Sequence, residues 1–402
     1  MRLTDSEVRR LDPSRLREAL TRAVHGEPVA PEEWAGLLAV DTLTGELLAA
    51  AAARRDAAWG RTITYSPKVF LPVTNLCRDR CTYCTFRKDP DDPDAWTMRP
   101  EEIAEWSRRG RALGCTEALL CLGDRPEAAF STYRGTLQSW GHRSTAEYVH
   151  RAACIALDAG LLPHTNAGVL ERDEMAMLRS VNVSLGLMLE SVSPRLRRRG
   201  GVHQWAPDKE PARRLRMLEE AGELRIPFTT GLLLGIGETL AERVDTLLAI
   251  RAAHRRHGHV QEVIIQPFRA KPTLNACPAE PGVLDVARTV AVARLLLDPE
   301  IAIQAPPNLL LATEQEVLLH AGVNDWGGVS PLTPDYVNPE APWPHVEALA
   351  ETCARAGFRL VPRLPVYGRY LAVPGWVDPA LRPAIARCAP GPSLRAAEHA
   401  SS

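Results

Sequence analysis

Eight short runs of β-type residues recur along this chain with longer stretches of helical character between them. They read KVFLPVT (68–74), EALLCLG (117–123), LLPHTNA (161–167), VNVSLGLML (181–189), IPFTTGLLLG (226–235), VQEVIIQPF (260–268), EIAIQAP (300–306) and VNDWGGV (323–329). A period of about 30 to 40 residues is what a repeated βα unit requires. The intervening segments carry helix punctuation. RPEEIAEWSRRGRALG opens on Pro100 followed by two acids, and DKEPARRLRMLEEAG ends on Gly222. Eight such units between residues 62 and 335 match a (β/α)8 TIM-type barrel in count and size. An open doubly wound sheet fits the alternation almost as well, so periodicity leaves both architectures standing.

Polar residues gather where these runs end: Thr74-Asn75, Gly123-Asp124, His164-Thr165-Asn166, Glu190, Gln266, Gln304 and Asn324-Asp325. A fully buried parallel strand has no packing reason to finish on polar groups. In a barrel those ends converge on one face, where active sites form.

Residues 1–61 read as a helical extension, Ala-rich from Leu43 to Trp59, and residues 336–402 as an irregular, Pro-rich C-terminal extension with one helix near 343–356. That extension is expected to pack on the barrel, with the closing SLRAAEHASS disordered. A formal net charge of −1 provides no field for nucleic acid or an anionic membrane. Only four Lys stand among 48 basic residues, a bias that removes Arg-rich stretches as signs of nucleic-acid binding. The N-terminus has no apolar signal region, no window approaches a membrane span, and nine Cys is an odd number. A cytoplasmic protein with free thiols is expected.

The sharpest local feature is NLCRDRCTYCTFRK (75–88), which places Cys77, Cys81 and Cys84 directly after the first strand run. Structural zinc takes four ligands, usually from two C-x2-C knuckles, and no second pair follows. A [4Fe–4S] cube with three thiolates leaves one iron open to a substrate or cofactor. Tyr83 and Phe86 are placed to wall such a cluster from water. Cys115, Cys121, Cys154, Cys277, Cys353 and Cys388 lack paired spacing and read as ordinary thiols.

C-x3-C-x2-C with an aromatic before the last Cys, after the first strand of a βα series, resembles the radical S-adenosylmethionine (SAM) superfamily. VFLPVTNLCRDRCTYCTFRKDP, LLCLGDRPE, LLPHTNAGVL, VNVSLGLMLES, GGVHQWAPDKEPARRLRMLEEAGELRIPFTTGLLLGIGET, IIQPFRAKPT and RLPVYGRYL are similar in order and spacing to one subfamily. This is the SAM lyase component of deazaflavin synthase. The resemblance implies a radical SAM barrel, one [4Fe–4S] cluster on Cys77, Cys81 and Cys84, and SAM chelating the open iron. Reductive SAM cleavage would provide a 5′-deoxyadenosyl radical. A hydroxybenzyl–ribitylaminouracil adduct, made from tyrosine by a sister radical SAM synthase component, would then close to a deazaflavin with loss of ammonia. A low-potential donor of ferredoxin or flavodoxin type is implied as partner. Radical SAM enzymes of menaquinone or thiamine synthesis share the architecture, and a non-catalytic zinc or iron–sulfur module is the alternative from another class.

By the same resemblance, Gly123 and Asp124 stand where relatives have a Gly-Gly-Glu turn against the SAM amino group; the second Gly is Asp here, which also suits a cap. Glu190 stands where relatives contact the SAM ribose, and Arg214 where they pair with the SAM carboxylate. Gly235, within GLLLGIGE, stands where the backbone approaches adenine, or simply turns the strand into a helix. Tyr83 is added to this cofactor set. His164, Asn166, Gln266 and Asp325 are candidate pocket residues from their strand-end positions. Lys209 and Lys271 are candidates because a buried Lys can lose its proton and an Arg cannot. Among these, Lys271, Asp325 and His164 are the expected catalytic groups, and Asn166, Gln266 and Lys209 the expected substrate contacts.

Overall fold

A computed structural model describes residues 4–271 and 279–389; Cys277 and the segment SLRAAEHASS lie outside the described residues. Eight parallel strands form the centre: β1 Thr62–Pro72, β2 Glu117–Cys121, β3 Leu162–Asn166, β4 Ser184–Gly186, β5 Phe228–Leu234, β6 Val260–Pro267, β7 Ala302–Gln304 and β8 Asp325–Val329. Each coincides with an expected run. β1 pairs with β2 on one side and with β8 on the other, so the sheet closes into a barrel and the open-sheet alternative falls away. Helices follow the strands around the outside, as a parallel sheet needs for its crossovers.

Two features depart from expectation. β1 begins at Thr62 rather than Lys68, because Thr62–Tyr65 pair in parallel with a ninth strand, β9 Arg359–Pro362. The C-terminal extension is therefore not irregular. It carries the helix Val346–Arg355, then β9, then the helices Gly368–Ala372 and Arg382–Cys388. RLVP is too short and too lacking in alternation to be read locally. It forms a strand because the N-terminal half of β1 has backbone groups that need partners.

The helices Pro13–Val24, Pro31–Ala39 and Thr44–Trp59 make the N-terminal extension; the last two pack on the barrel helices Leu240–His257 and Val283–Leu296. Leu16, Leu37, Leu43 and Leu47 are fully buried, each contributing about 2 kcal/mol of apolar burial. Arg55 is buried with them and donates to the carbonyls of Leu319 (2.7 Å) and Val323 (2.9 Å). Among the described residues no single helix is long and apolar enough to cross a membrane.

Register sorts the barrel's inward side chains into layers. Lys68 lies opposite Glu117, Phe70 opposite Leu119 and Pro72 opposite Cys121. Thr229 lies opposite Glu262, Gly231 opposite Ile264 and Leu233 opposite Gln266. The lowest layer is charged, the middle one apolar, and the upper one adjoins the cysteine loop. Bulky branched side chains ordinarily fill such an interior. Here it encloses a cavity of about 360 Å³.

Candidate active site

The cysteine loop leaves β1 at Pro72 and is anchored before it turns. Thr74 Oγ1 donates to the carbonyl of Trp96 (3.0 Å) and accepts from the backbone N–H of Leu76 (3.2 Å). Asn75 is fully buried; its amide donates to the carbonyl of Asp94 (2.8 Å) and accepts from the Trp96 N–H (2.9 Å). These two polar strand-end residues therefore close the base of the 76–95 loop. The far side is tied to the segment after β4. The N–H groups of Arg80 and Thr82 donate to the carbonyls of Trp205 (2.9 Å) and Val202 (3.1 Å). The Arg78 guanidinium forks onto buried Asp208, whose own N–H donates to Asp79 (3.0 Å).

Cys77, Cys81 and Cys84 all line the cavity, as do Tyr83 and Phe86. Gly123 is a packing requirement there. A Cβ on it would lie 2.2 Å from the Leu76 carbonyl oxygen and 2.5 Å from Cys77 Cβ. The next N–H, of Asp124, donates to the Cys77 sulfur at 3.0 Å. Burial pushes the Cys77 thiol up to about 12, helped by Asp79, and raises Cys81 as well. Burial thus favours the protonated thiol at Cys77 and Cys81, and a bound metal centre is what would hold thiolates there.

Among the described residues, the one set of three metal-type ligands whose atoms lie within 4.8 Å of one another is Asp79, Asp124 and Asp208, not the cysteines. Three thiols on one loop, with no fourth metal-type ligand grouped with them among the described residues, are the donor set that leaves one iron of a [4Fe–4S] cluster open. The three carboxylates are held by protein donors: Asp208 by Arg78 and Arg213, Asp124 by the Val169 N–H and Asp79 by the Asp208 N–H.

Glu190 adopts a left-handed backbone (φ 61°), an unfavourable conformation for this residue. Its carboxylate accepts from Tyr83 (2.8 Å) and meets Lys209 (2.5 Å) and His203 (3.2 Å). Burial opposes ionisation, but Lys209 and His203 outweigh it and hold this carboxyl well below the usual range. Tyr83 thereby links the cysteine loop to the segment that follows β4. Arg214 is buried beside it, donating to the carbonyls of Met188 and Asp208 (both 3.2 Å). Asp124 is pushed up to about 7 by burial and by neighbouring Asp208.

His164 sits deeper. Its Nδ1 is 2.6 Å from Ser184 Oγ, and that hydroxyl donates to the Pro365 carbonyl (2.6 Å). Ser184 must then accept, so Nδ1 carries the proton and Nε2 keeps a lone pair. Burial lowers the His164 pKa to about 4. From an unfolded value near 6.5, the unfolded chain binds a proton that the native state refuses. Stability is expected to fall as pH drops from 6.5 to about 4, by about 3 kcal/mol from this residue. Urea unfolding across that pH range should show a shallower decline in His164→Gln than in the parent; parallel curves would contradict the assignment.

Gly123, Asp124, His164, Asn166, Glu190, Lys209, Arg214 and Gln266 share the cavity wall with the cysteines. Lys271, Asp325 and Gly235 do not reach it. Lys271 donates to Thr85 (3.1 Å) and to the Val337 carbonyl, bracing the cysteine loop against the 330–343 segment. Asp325 begins β8 at the barrel's lower end, where Arg363 (2.5 Å) and Tyr367 (3.0 Å) engage it. Gly235 turns β5 outward at φ 86°. Lys68, Glu117, Cys121, Glu262, Trp326 and Arg363 also line the cavity and were not singled out by sequence. Period-two alternation from Glu117 through Leu119 to Cys121 and from Glu262 through Ile264 to Gln266 was the available signal.

A barrel whose first strand end opens a three-cysteine loop into an interior cavity is the arrangement of a radical SAM enzyme, and residues 71–250 match the Radical SAM superfamily model. The FeFe-hydrogenase maturase HydG from Carboxydothermus hydrogenoformans shares the fold, with a TM-score of 0.72 at 20% identity over 90% of this chain and 82% of that one. At the sequence level, a 7,8-didemethyl-8-hydroxy-5-deazariboflavin synthase from Methanopyrus kandleri is 49% identical over 317 residues, 78% of this chain and 94% of that protein. The FO synthase of Mycobacterium tuberculosis (strain ATCC 25618 / H37Rv) is 49% identical over 388 residues, 92% of this chain but 45% of that protein. The chain belongs to the 7,8-didemethyl-8-hydroxy-5-deazariboflavin synthase family of radical SAM proteins. It spans less than half the length of the FO synthases it matches.

Proposed function

We propose that this chain is a radical SAM carbon–nitrogen lyase. It closes a tyrosine-derived hydroxybenzyl–ribitylaminouracil adduct to 7,8-didemethyl-8-hydroxy-5-deazariboflavin with release of ammonia. The observation that carries the reading is the joint placement of Cys77, Cys81 and Cys84 on one anchored loop at the mouth of a barrel cavity, in a chain 49% identical to a protein of that name over 94% of its length.

When bound, a [4Fe–4S] cluster on these cysteines together with SAM supplies a 5′-deoxyadenosyl radical for hydrogen abstraction. The chain's own residues position and enclose. Tyr83 and Phe86 exclude water from the thiols, while Gly123 lets the β2 turn lie against the Cys77 loop. Asp124, Glu190 and Arg214 provide buried polar contacts for SAM, with Lys209 neutralising Glu190. Asn166 and Gln266 face the adduct from the strand ends. His164 offers Nε2 as a hydrogen-bond acceptor. Asp325 and Lys271 act at one remove, through Arg363 and the cysteine loop. The adduct would come from a sister radical SAM synthase component, and the electron from a low-potential ferredoxin or flavodoxin, in the cytoplasm.

Anaerobic reconstitution with iron and sulfide should give a brown protein that forms 5′-deoxyadenosine and the deazaflavin when given SAM, a reductant and the adduct. 5′-Deoxyadenosine without deazaflavin would point to another radical SAM reaction. A colourless, zinc-loaded protein would rule out the class.

A further inference from the structure

The lowest layer of the cavity is built unlike a barrel core. Lys68 pairs with Glu117 at 3.0 Å, and Arg363, reaching in from just after β9, pairs with Glu262 at 2.5 Å. Thr229 donates to the other oxygen of Glu262 (2.9 Å). Glycines make room for these long side chains: a Cβ on Gly328 would lie 2.0 Å from Lys68 Cε, and one on Gly186 would lie 2.9 Å from His164 Nε2. Above this floor Phe70, Leu119 and Ile264 form an apolar collar, and the cysteines lie above that. The floor layer and the Cys121 layer are four residues apart along β2, about 13 Å.

Charge decides what such a floor can hold. Its two cations already face carboxylates, so an anionic ligand would displace an ion pair inside the barrel. The remaining carboxylate, Asp325, is held beneath the floor by Arg363, Thr64 and Tyr367 and does not line the cavity. A neutral chain of hydroxyls has donors for Glu117 and Glu262 and acceptors for Lys68, which has three N–H groups and one carboxylate partner. We infer that the barrel floor formed by Lys68, Glu117, Glu262 and Arg363 is a polyol subsite that takes the ribityl chain of the substrate, setting the ring system in the collar and the reacting carbon beside the cysteine loop. This inference rests on the substrate class proposed above.

Calorimetric titration of the full chain with 6-ribitylaminouracil and with 6-methylaminouracil tests it without any radical chemistry. The ribityl compound should bind at least about 100-fold more tightly, the size of effect expected when buried polar groups lose their partners. Glu262→Gln leaves Arg363 paired with Asp325, and the double variant K68M/E117Q removes an ion pair whole; each should cut the ribityl preference at least about tenfold while leaving methyl affinity unchanged. Equal binding of the two compounds by the parent chain, or variants that weaken both alike, would overturn the subsite even if the reconstituted enzyme makes deazaflavin. Failure to bind either compound would overturn the substrate reading and the subsite with it. Should both variants misfold, the parent's ratio alone decides.

Discussion

Serine at Cys77, Cys81 or Cys84 is expected to reduce cluster iron and 5′-deoxyadenosine formation to background. Serine keeps the volume and removes the soft thiolate that iron–sulfur chemistry selects. The effect should be confined to the centre. Cys81 and Cys84 are only partly buried and the loop is held by Thr74, Asn75 and Arg78 rather than by sulfur packing. Apo-protein melting should therefore shift little in these two variants. Cys121 lines the same cavity, which makes Cys121→Ser the informative control. It should retain iron. Loss of iron in that variant, or its retention in any of the other three, would reassign the ligands. Gly123→Ala should behave as a fourth member of the set, because its methyl group would displace the loop at Cys77.

Arg363→Met is expected to be the most destabilising single change, at about 3–5 kcal/mol. Arg363 is the cation shared by Glu262 and Asp325, both within 2.5 Å, and Asp325 is fully buried. Deleting it leaves two carboxylates in the barrel interior without their charge partner. The sign of the pH effect follows. Unpaired buried carboxylates gain protons more readily in the native state, so the deficit should shrink as pH falls through the carboxylate range. Urea unfolding at neutral and acidic pH measures both quantities. Arg363→Lys should recover only part of the loss, since an ammonium cannot fork onto two carboxylates as a guanidinium does. A loss under 1 kcal/mol at neutral pH would show that the pair does not hold the lower end of the barrel.

The eight barrel strands were legible because each is a compact apolar run bounded by helical punctuation, and the chemistry was legible because three cysteines fall within eight residues of one loop. Strand-end position also brought His164, Asn166, Glu190 and Gln266 to the cavity wall. The same rule misplaced Asp325. It heads β8 instead of closing it, so its side chain lies at the lower end. Lys271 is a candidate by residue type alone, a property that says nothing about direction, and it braces a loop.

Local sequence thus determined the repeating βα order and the donor set, since propensity, periodicity and ligand identity are properties of neighbouring residues. Closure of the sheet, the ninth strand and the charged floor were decided by tertiary structure alone. Arg363 and Glu262 are 101 residues apart along the chain, and no local pattern relates them. They meet because β9 pairs with the N-terminal half of β1 and so delivers Arg363 to the lower end of a barrel that the pairing of β1 with β2 and β8 closes.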